Sequence, residues 1–130
     1  MKIYKNKIMK TDIKECKIDN DGTFKYIQIS CINKNDSKDS KLIIRGTSYF
    51  SYHKQIFDDF LTEIKNSKNK SLIDDYEFKC IGGGRIEING KMIFIYGYST
   101  VFGQADHAKT VQILKKYYPY KNIDYSNGGY

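Results

Sequence analysis

The residues of this chain best suited to chemistry are its two histidines and its two arginines. Arg85 directly follows three consecutive glycines, residues 82–84. Glycine lets a backbone approach its neighbours closely, and a guanidinium is a fixed fork of donors that suits phosphate or carboxylate. The segment 82–85 therefore predicts an anion site. The alternative is a β-bulge that bends a sheet.

His53 and His107 each lie near the start of a predicted helix. His53 precedes Ile56 and Phe60 by three and seven residues, and His107 precedes Leu114 by seven, so both belong to the apolar faces of their helices. The partial positive charge of a helix N-terminus disfavours an imidazolium. A histidine in that position stays neutral at pH 7, as a general base requires. The alternative for each is a hydrogen-bonded core histidine.

The segment 99–103 connects a predicted strand to the second predicted helix. Backbone N–H groups in such a loop can hold a phosphate, although the stronger GxxxxGK[ST] pattern is absent. Lys25, on a predicted strand, could add a positive charge. Considered singly, the loop also fits an ordinary strand-to-helix turn, and Lys25 an ordinary solvent-facing lysine.

Length and composition restrict the class of protein. With 130 residues, 40% of them hydrophobic, the chain is expected to form one domain, residues 1–130, with its own core. The net charge of +7 is spread along the chain, which favours a lysine-rich surface over nucleic-acid or membrane binding. Cys16, Cys31 and Cys80 are odd in number and widely spaced, which predicts free thiols in the cytoplasm, with no metal site.

Periodicity predicts an α+β fold, in which a single-domain mixed β-sheet of about six strands is flanked by two α-helices. The predicted helices cover about 49–66, capped by Ser48, and 105–118. Residues 33–40 are predicted as a polar loop and residues 67–75 as a linking loop. The pair Asn89-Gly90 predicts a two-residue hairpin turn. A last short strand is expected around Ile123 and Tyr125.

Many of these residues fall into one pattern. In chain order it reads DGTFKY at 21–26, IRG at 44–46, YH at 52–53, CIGGGRI at 80–86, YGYS at 96–99, FG at 102–103, HA at 107–108, KYYP at 116–119 and NGGY at 127–130. The chain thereby resembles the protein histidine phosphatases of the Janus/Ocnus family over residues 18–130. Residues 1–17 lie outside this resemblance, and nothing in the sequence indicates their role.

The resemblance implies a monomeric enzyme that removes the phosphoryl group from phosphohistidine in proteins without a metal or other cofactor. It implies that His53 is the general base and that Arg45 supports the site. The phosphoryl group would be held by Lys25, Arg85, Ser99, Thr100 and Val101. Free phosphate or sulfate would occupy the same site, and neither nucleic acid nor membrane is expected as a partner.

The chain departs from the family pattern at two places. It has Tyr49-Phe50 where family members often carry a tryptophan, and Thr100-Val101-Phe102-Gly103 where they commonly have Met-Ala-Tyr-Gly. Contacts through backbone amides survive the second change, whereas substrate preference need not.

Alternative functions and mechanisms stay open. The main alternative is a non-catalytic phosphate-recognition or regulatory protein of the same family, and a nucleic-acid binder is a third reading. For the enzyme, the sequence does not distinguish attack by water from a transient phosphoryl-His53 intermediate.

Overall fold

A computed structural model describes residues 13–67 and 71–128. The elements, in chain order, are β1 (Cys16–Lys17), β2 (Gly22–Asn33), β3 (Asp36–Thr47), α1 (His53–Lys65), α2 (Leu72–Asp75), β4 (Tyr76–Asn89), β5 (Met92–Tyr96), α3 (His107–Tyr117) and β6 (Asn122–Tyr125). The strands form one sheet in the order β1-β3-β2-β4-β5-β6. The two outermost pairs are parallel and the three inner pairs antiparallel. The predicted α+β fold with a six-stranded mixed sheet is therefore confirmed.

The central strand β2 is buried on both faces, and each face has its own core. Ile27 and Ile29 point to one side and join the cluster that contains the apolar residues of α1. Phe24 and Tyr26 point to the other side and join the cluster that contains those of α3. The alternation of side chains along a strand explains this division. Helix α1 thus covers one face of the sheet and helix α3 covers the other.

The three glycines of β4 mark the place where both layers come closest to the sheet. A Cβ on Gly83 would lie 2.8 Å from Cδ2 of His53, and a Cβ on Gly84 would lie 2.7 Å from Cε1 of His107. On Gly82 it would lie 2.6 Å from the Cα of Ala105. No side chain fits at any of these distances, so the glycines are required by close packing on both faces.

The alternative suggested for the glycine run, a β-bulge, is present beside it. Gln28 pairs with Gly82, but Ile29 pairs with Cys80, so Ile81 is an extra residue on β4. Such a bulge bends the strand and re-aims the side chains that follow it. The sheet therefore has both a close approach at the glycines and a bulge beside them, and the anion site stays a prediction.

The predicted polar loop at residues 33–40 is wrong. These residues form the end of β2, a short turn and the beginning of β3, with Asn33 paired to Asp36 and Ile32 to Ser40. Ladder hydrogen bonds join backbones, so a polar segment extends a strand when its neighbour already provides the template. Two further elements were not predicted: β1 at the sheet edge, and the single-turn α2 in the expected linking loop.

Helix α1 begins later than predicted. Ser48 does not cap it, because the amide and hydroxyl of Ser48 both bind Oδ2 of Asp19, at 2.8 and 2.9 Å. The helix begins at His53 with Tyr52 as N-cap. Gln55 closes this end, since its Oε1 accepts hydrogen bonds from the amides of Ser51 and Tyr52. His53 is consequently the first residue of α1.

Helix α3 and the β4–β5 hairpin are close to their predictions. Asp106 caps α3 by accepting a hydrogen bond from the amide of Lys109, and His107 is the first residue of the helix. The hairpin turn consists of Gly90 and Lys91, because Asn89 still pairs with Met92. The predicted turn was thus one residue too early.

Two expectations concern the N-terminal segment 1–17 and the membrane. The segment 1–17 lies partly outside the described residues, which begin at Ile13, and its last two residues form β1. In the described ranges no helix is both long enough and apolar enough to cross a membrane.

Replacement of Gly84 by alanine should destabilise the fold. The new Cβ would meet the carbonyl oxygen of Tyr96 at 2.5 Å and His107 at 2.7 Å, and overpacking of this kind costs about 1–3 kcal/mol. Urea unfolding of Gly84→Ala measures the loss. The matched control is Gly128→Ala, whose Cβ would have 3.8 Å to its nearest neighbour. Equal unfolding midpoints for the two variants would contradict the packing described above.

Candidate functional site

Two cations stand side by side on the α1 face of the sheet. Lys25 on β2 is directly opposite Arg85 on β4. Both lie two residues from positions that face α1, so their side chains share that face. Like charges opposite one another on antiparallel strands repel, and an anion placed between them lowers that repulsion. The row of the sheet that contains this pair continues with Thr47 on β3 and Tyr96 on β5.

His53 lies on the same face and is held in one tautomer. Its Nε2 is 2.9 Å from the carbonyl oxygen of Gly84. Because a carbonyl only accepts, Nε2 carries the proton and donates it, and Nδ1 keeps its lone pair. Within residues 13–67 and 71–128, no group is recorded in a hydrogen bond to Nδ1. This nitrogen can therefore accept a proton or act as a nucleophile.

The surroundings of His53 keep the ring neutral. Burial is the main cause that lowers its pKa below the ordinary value, and the positive charges of Lys25 and Arg85 lower it further. The hydrogen bond to Gly84 acts in the opposite direction but does not reverse the shift. The result is an uncharged imidazole at pH 7 beside two cations.

The loop 99–103 is a compact turn fixed to the glycine run. Ser99 and Gly103 exchange two backbone hydrogen bonds, of 3.0 and 2.8 Å, and the amide of Gly83 donates to the carbonyl of Gly103. The hydroxyl oxygen of Ser99 accepts from the amide of Phe102. Since the amide of Ser99 is used inside the loop, what Ser99 has left to offer a phosphate is its hydroxyl hydrogen.

The tip of the loop is formed by Thr100 and Val101. Both are exposed, Val101 to 71%. Their amides take no part in the hydrogen bonds that close the loop. They are thus the backbone donors that this turn leaves available, and a backbone donor does not depend on the identity of its side chain.

Gly83 is the point at which these parts meet. The position of a Cβ on Gly83 would be within 3.1 Å of both Cδ2 of His53 and Cβ of Ser99. His53 and the loop therefore lie next to each other, and the charges of Lys25 and Arg85 act on the same histidine. We call this set the cradle; it consists of Lys25, His53, Arg85 and the loop residues 99–101.

His107 is held in the same way as His53 but on the opposite face. Its Nε2 donates to the carbonyl of Gly97 at 2.8 Å, and its Nδ1 accepts from the hydroxyl of Tyr26 at 2.6 Å. The hydroxyl of Thr110 donates to Tyr26, and Gln28 donates to Thr110. Both ring nitrogens of His107 are thus occupied, so it is the core histidine that the sequence allowed for. This hydrogen-bond network was not predicted from the sequence. Its signal there is the polar Gln28 in a strand that the structure buries.

Arg45 lies near the cradle but has different contacts. It is buried on β3, opposite Ile27 on β2. Its Nη1 donates to the carbonyls of Lys14 and Ile44, and its guanidinium lies 5.2 Å from the centre of the Phe60 ring. These contacts fasten α1 and the segment before β1 to the sheet. The supporting role inferred from the sequence remains a prediction.

The cysteines are free and do not take part in the cradle. Burial raises the pKa of Cys16 and of Cys80 to about 11 and that of Cys31 to about 12. Thiols with such values carry almost no thiolate at pH 7 and are poor nucleophiles. Among the residues that the structure describes, no group of three or more His, Cys, Asp and Glu side chains is placed to hold a metal ion.

Most of the chain matches a known protein family. Residues 10–122 match the model of the Janus/Ocnus family. The chain belongs to this family. The match begins at residue 10, so it also includes part of the segment 1–17 that was set outside the resemblance.

Two kinds of relative are found for this Janus/Ocnus protein. It is 42% identical over 112 residues to the sex-regulated protein janus-A of Drosophila orena, covering 85% of this chain and 76% of that protein. The value for janus-A of Drosophila melanogaster is 40% with the same coverage. It is 35% identical over 124 residues to the 14 kDa phosphohistidine phosphatase of Homo sapiens, covering 91% of this chain and 94% of that protein.

Removal of the positive charge at Lys25 should raise the pKa of His53. That charge disfavours the imidazolium, so Lys25→Gln makes the ring easier to protonate. The chain has two histidines, and proton NMR follows both titrations separately. The charge that acts on His107 is that of Asp106, so its titration should not move. Lys79→Gln, an exposed lysine at the far end of β4, is the matched control. An unchanged His53 titration in Lys25→Gln would show that Lys25 does not face the ring.

Proposed function

We propose that this protein is a phosphohistidine phosphatase, which hydrolyses the P–N bond of phosphohistidine in other proteins. The observation that carries the proposal is the unoccupied Nδ1 of a neutral His53 beside Lys25 and Arg85. A protein that only bound phosphate would need the two cations but no base. The name of the human relative supports the substrate class.

In the proposed complex, the phosphoryl group lies in the cradle. Lys25 and Arg85 neutralise the charge of its oxygens, and Arg85 offers two parallel N–H donors to one face of the group. The amides of Thr100 and Val101 and the hydroxyl of Ser99 approach from the other side. Preformed donors of this kind need no reorganisation when the charge moves during the reaction.

The chemical step then requires one proton transfer from water. Nδ1 of His53 takes a proton from a water molecule as the water oxygen forms a bond to phosphorus. The P–N bond breaks and its electron pair stays on that nitrogen of the substrate imidazole, whose other ring nitrogen carries a proton, so that neutral imidazole and phosphate are the products. Phosphoryl transfer depends mainly on positioning and charge neutralisation, both of which the cradle supplies.

The same lone pair would also serve a two-step route. In that route Nδ1 of His53 attacks phosphorus directly, the substrate imidazole leaves, and water then hydrolyses the phosphoryl-His53 intermediate. Both routes need the tautomer that the carbonyl of Gly84 imposes. Rapid acid-free quenching during turnover, followed by mass analysis of the intact protein, distinguishes them.

We also propose the setting of this activity. The partners are phosphohistidine-containing proteins, which meet a monomer of this chain in the cytoplasm. The three free thiols support a reducing compartment. Nucleic acid and membrane are not partners in this proposal.

His53→Ala should lose most of the turnover and keep the fold. Loss of a general base lowers a rate by about 10²–10⁴-fold. The assay is release of inorganic phosphate from a phosphohistidine-containing peptide. The matched control is Lys54→Ala at the next position, an exposed lysine that pairs with Asp58 on the surface. Its rate should equal that of the wild type.

A second measurement separates the enzyme from the non-catalytic alternative. Titration of wild type and His53→Ala with inorganic phosphate, followed through the amide signals of residues 99–101, reports on the cradle itself. The phosphatase should show binding in both proteins and turnover only in the wild type. Phosphate binding without turnover in either protein would favour the recognition protein instead.

Chelators should leave the activity unchanged. In the proposed mechanism the charge of the phosphoryl group is met by Lys25, Arg85 and backbone amides, so no metal ion is needed. Turnover after dialysis against EDTA should match that of untreated protein. Loss of activity that Mg²⁺ or Zn²⁺ restores would show that the mechanism is wrong.

A further inference from the structure

The part of the sheet that contains β5 is open on the side of α1. Side chains alternate along a strand, and Ile93 and Ile95 belong to the core under α3, so Met92, Phe94 and Tyr96 lie on the α1 side. Among the described residues, the core under α1 contains no residue of β5. Met92 is 48% exposed, and Phe94 and Tyr96 are half-buried. We call the surface that these three residues form with their neighbours on β4 and β6 the open face.

The open face begins at the cradle. Tyr96 is directly opposite Arg85, and the ring of Phe94 is stacked on that of Tyr96, with centroids 5.5 Å apart and planes at 26°. A polypeptide that leaves the cradle along β5 would therefore lie on these two rings. The aliphatic stem of a long side chain would be removed from water there, which favours binding.

Two carboxylates stand on either side of Phe94. Glu87 of β4 and Asp124 of β6 are its direct partners in the sheet, and both are exposed. Neighbouring strands are about 4.8 Å apart, so a group above Phe94 has one carboxylate on each side. Within the described ranges the side chain of Glu87 has no hydrogen-bond or ion-pair partner, and that of Asp124 accepts from the amide of Tyr125. Both therefore have oxygens left for a ligand.

The cations of the cradle are farther from Phe94 than these carboxylates. Arg85 is its diagonal neighbour, at about 7–8 Å, and Lys25 is one strand beyond. In the proposed complex both cations face the phosphoryl group, whose negative charge offsets theirs. Lys91 and Lys121 lie at the hairpin turn, where the amine of Lys121 is bound to a backbone carbonyl at 2.8 Å. The position above Phe94 is therefore locally negative on a protein whose net charge is +7.

We propose that the open face binds the polypeptide of the protein substrate, and that a lysine or arginine side chain of this substrate lies above Phe94. The stem of that side chain packs on Phe94 and Tyr96, and its charged head group lies between Glu87 and Asp124. An acidic side chain in the same place would meet two carboxylates and is rejected. This proposal rests on the proposed function for the occupant of the cradle, and it names a neighbouring residue that the substrate carries.

The spacing of the sheet gives the position of this basic residue in the substrate. Side chains on one face of a strand are two residues, or about 7 Å, apart. An extended substrate segment has the same spacing, so the basic residue is expected two positions from the phosphohistidine. A residue four positions away would face Met92, whose partners Asn89 and Asn122 are uncharged.

Peptides with a non-hydrolysable phosphohistidine analogue test the open face without turnover. Lys, Gln or Glu is placed two or four residues from the analogue, on either side, in an otherwise uncharged sequence. The dissociation constant for the wild-type protein is read from the amide signals of Phe94 and Asp124. At one of the two-residue positions the Lys peptide should bind about three- to tenfold more tightly than the Gln peptide, and the Glu peptide should bind most weakly. At the four-residue positions Lys and Gln should differ by less than about twofold.

The expected order is opposite to that of unspecific attraction, because a net charge of +7 favours the Glu peptide. Variants then test the reason for the preference. In the double variant Glu87→Gln, Asp124→Asn, the Lys and Gln peptides should bind almost equally. Glu77→Gln, an exposed glutamate at the far end of β4, is the matched control and should leave their ratio unchanged. Equal binding of Lys and Gln at both two-residue positions, tightest binding of Glu, an unchanged ratio in the double variant, or no binding of any peptide would overturn the proposal.

A second copy of this chain is the other occupant that the open face could fit. Amide signals of residues 92–96 that move with protein concentration in the absence of peptide would assign the face to self-association and overturn the proposal. These signals should stay in place on dilution.

Hydrolysis of phosphoramidate by the wild-type protein tests the proposed function separately, since this small molecule does not extend to the open face. Absence of phosphate release together with a preference for Lys would remove the phosphatase and retain the substrate surface. Phosphate release without any preference would do the reverse.

Discussion

The fold and the candidate site both depend on the absence of side chains at residues 82–84. At this point of β4 the sheet has His53 against one face and His107 against the other, each less than 3 Å from where a glycine Cβ would be. The carbonyl of Gly84 also fixes the tautomer of His53, and the amide of Gly83 fixes the loop 99–103. A short stretch of backbone without side chains thus sets the positions of His53, the loop 99–103 and the opposite helix α3 together.

The two histidines have similar surroundings but differ in the hydrogen bonding of one ring nitrogen. Both begin a helix, both are buried, and both donate Nε2–H to a backbone carbonyl. Burial lowers the pKa of both. The difference lies at Nδ1. In His107 this nitrogen accepts a hydrogen bond from Tyr26, whereas in His53 it has no hydrogen-bond partner among the described residues. Chemistry is possible only where the second nitrogen is left available, so hydrogen bonding rather than burial distinguishes the two.

The type of fold could be predicted from the sequence because it follows from local patterns, whereas Lys25, His53, Arg85 and the loop residues 99–101 were grouped together by the family resemblance. Alternation in β2, the stripe of α1 and the Asn89-Gly90 pair are local signals. The glycine run correctly indicated a close approach. The start of α1 could not be predicted, since Ser48 is a good cap by type but is bound by Asp19 from a distant part of the chain. The strand at residues 36–40 was missed for a similar reason, as its template is the neighbouring β2.

Residue spacing alone could not distinguish His53 from His107, and only the family resemblance separated them. Spacing places each on the apolar face of a helix, and the distinction arises from Tyr26, a strand residue that points away from His53. It could not assign a contact to Arg45 either, whose partners are carbonyls and a phenyl ring from three segments. Side-chain pairs that come from separate segments are visible only once the register of the sheet is known.

The electrostatics of the cradle couple binding to reactivity under the proposed function. In the free protein burial lowers the pKa of His53, and Lys25 and Arg85 lower it further, which keeps the ring neutral but makes it a weak base. When a phosphoryl group carrying negative charge binds between the two cations, it offsets their effect on the ring. The pKa of His53 then rises, and Nδ1 becomes a stronger base beside the phosphorus atom that water attacks. The same two charges therefore help burial to keep the ring unprotonated before binding, and they allow proton transfer after it without any movement of the sheet on which they stand.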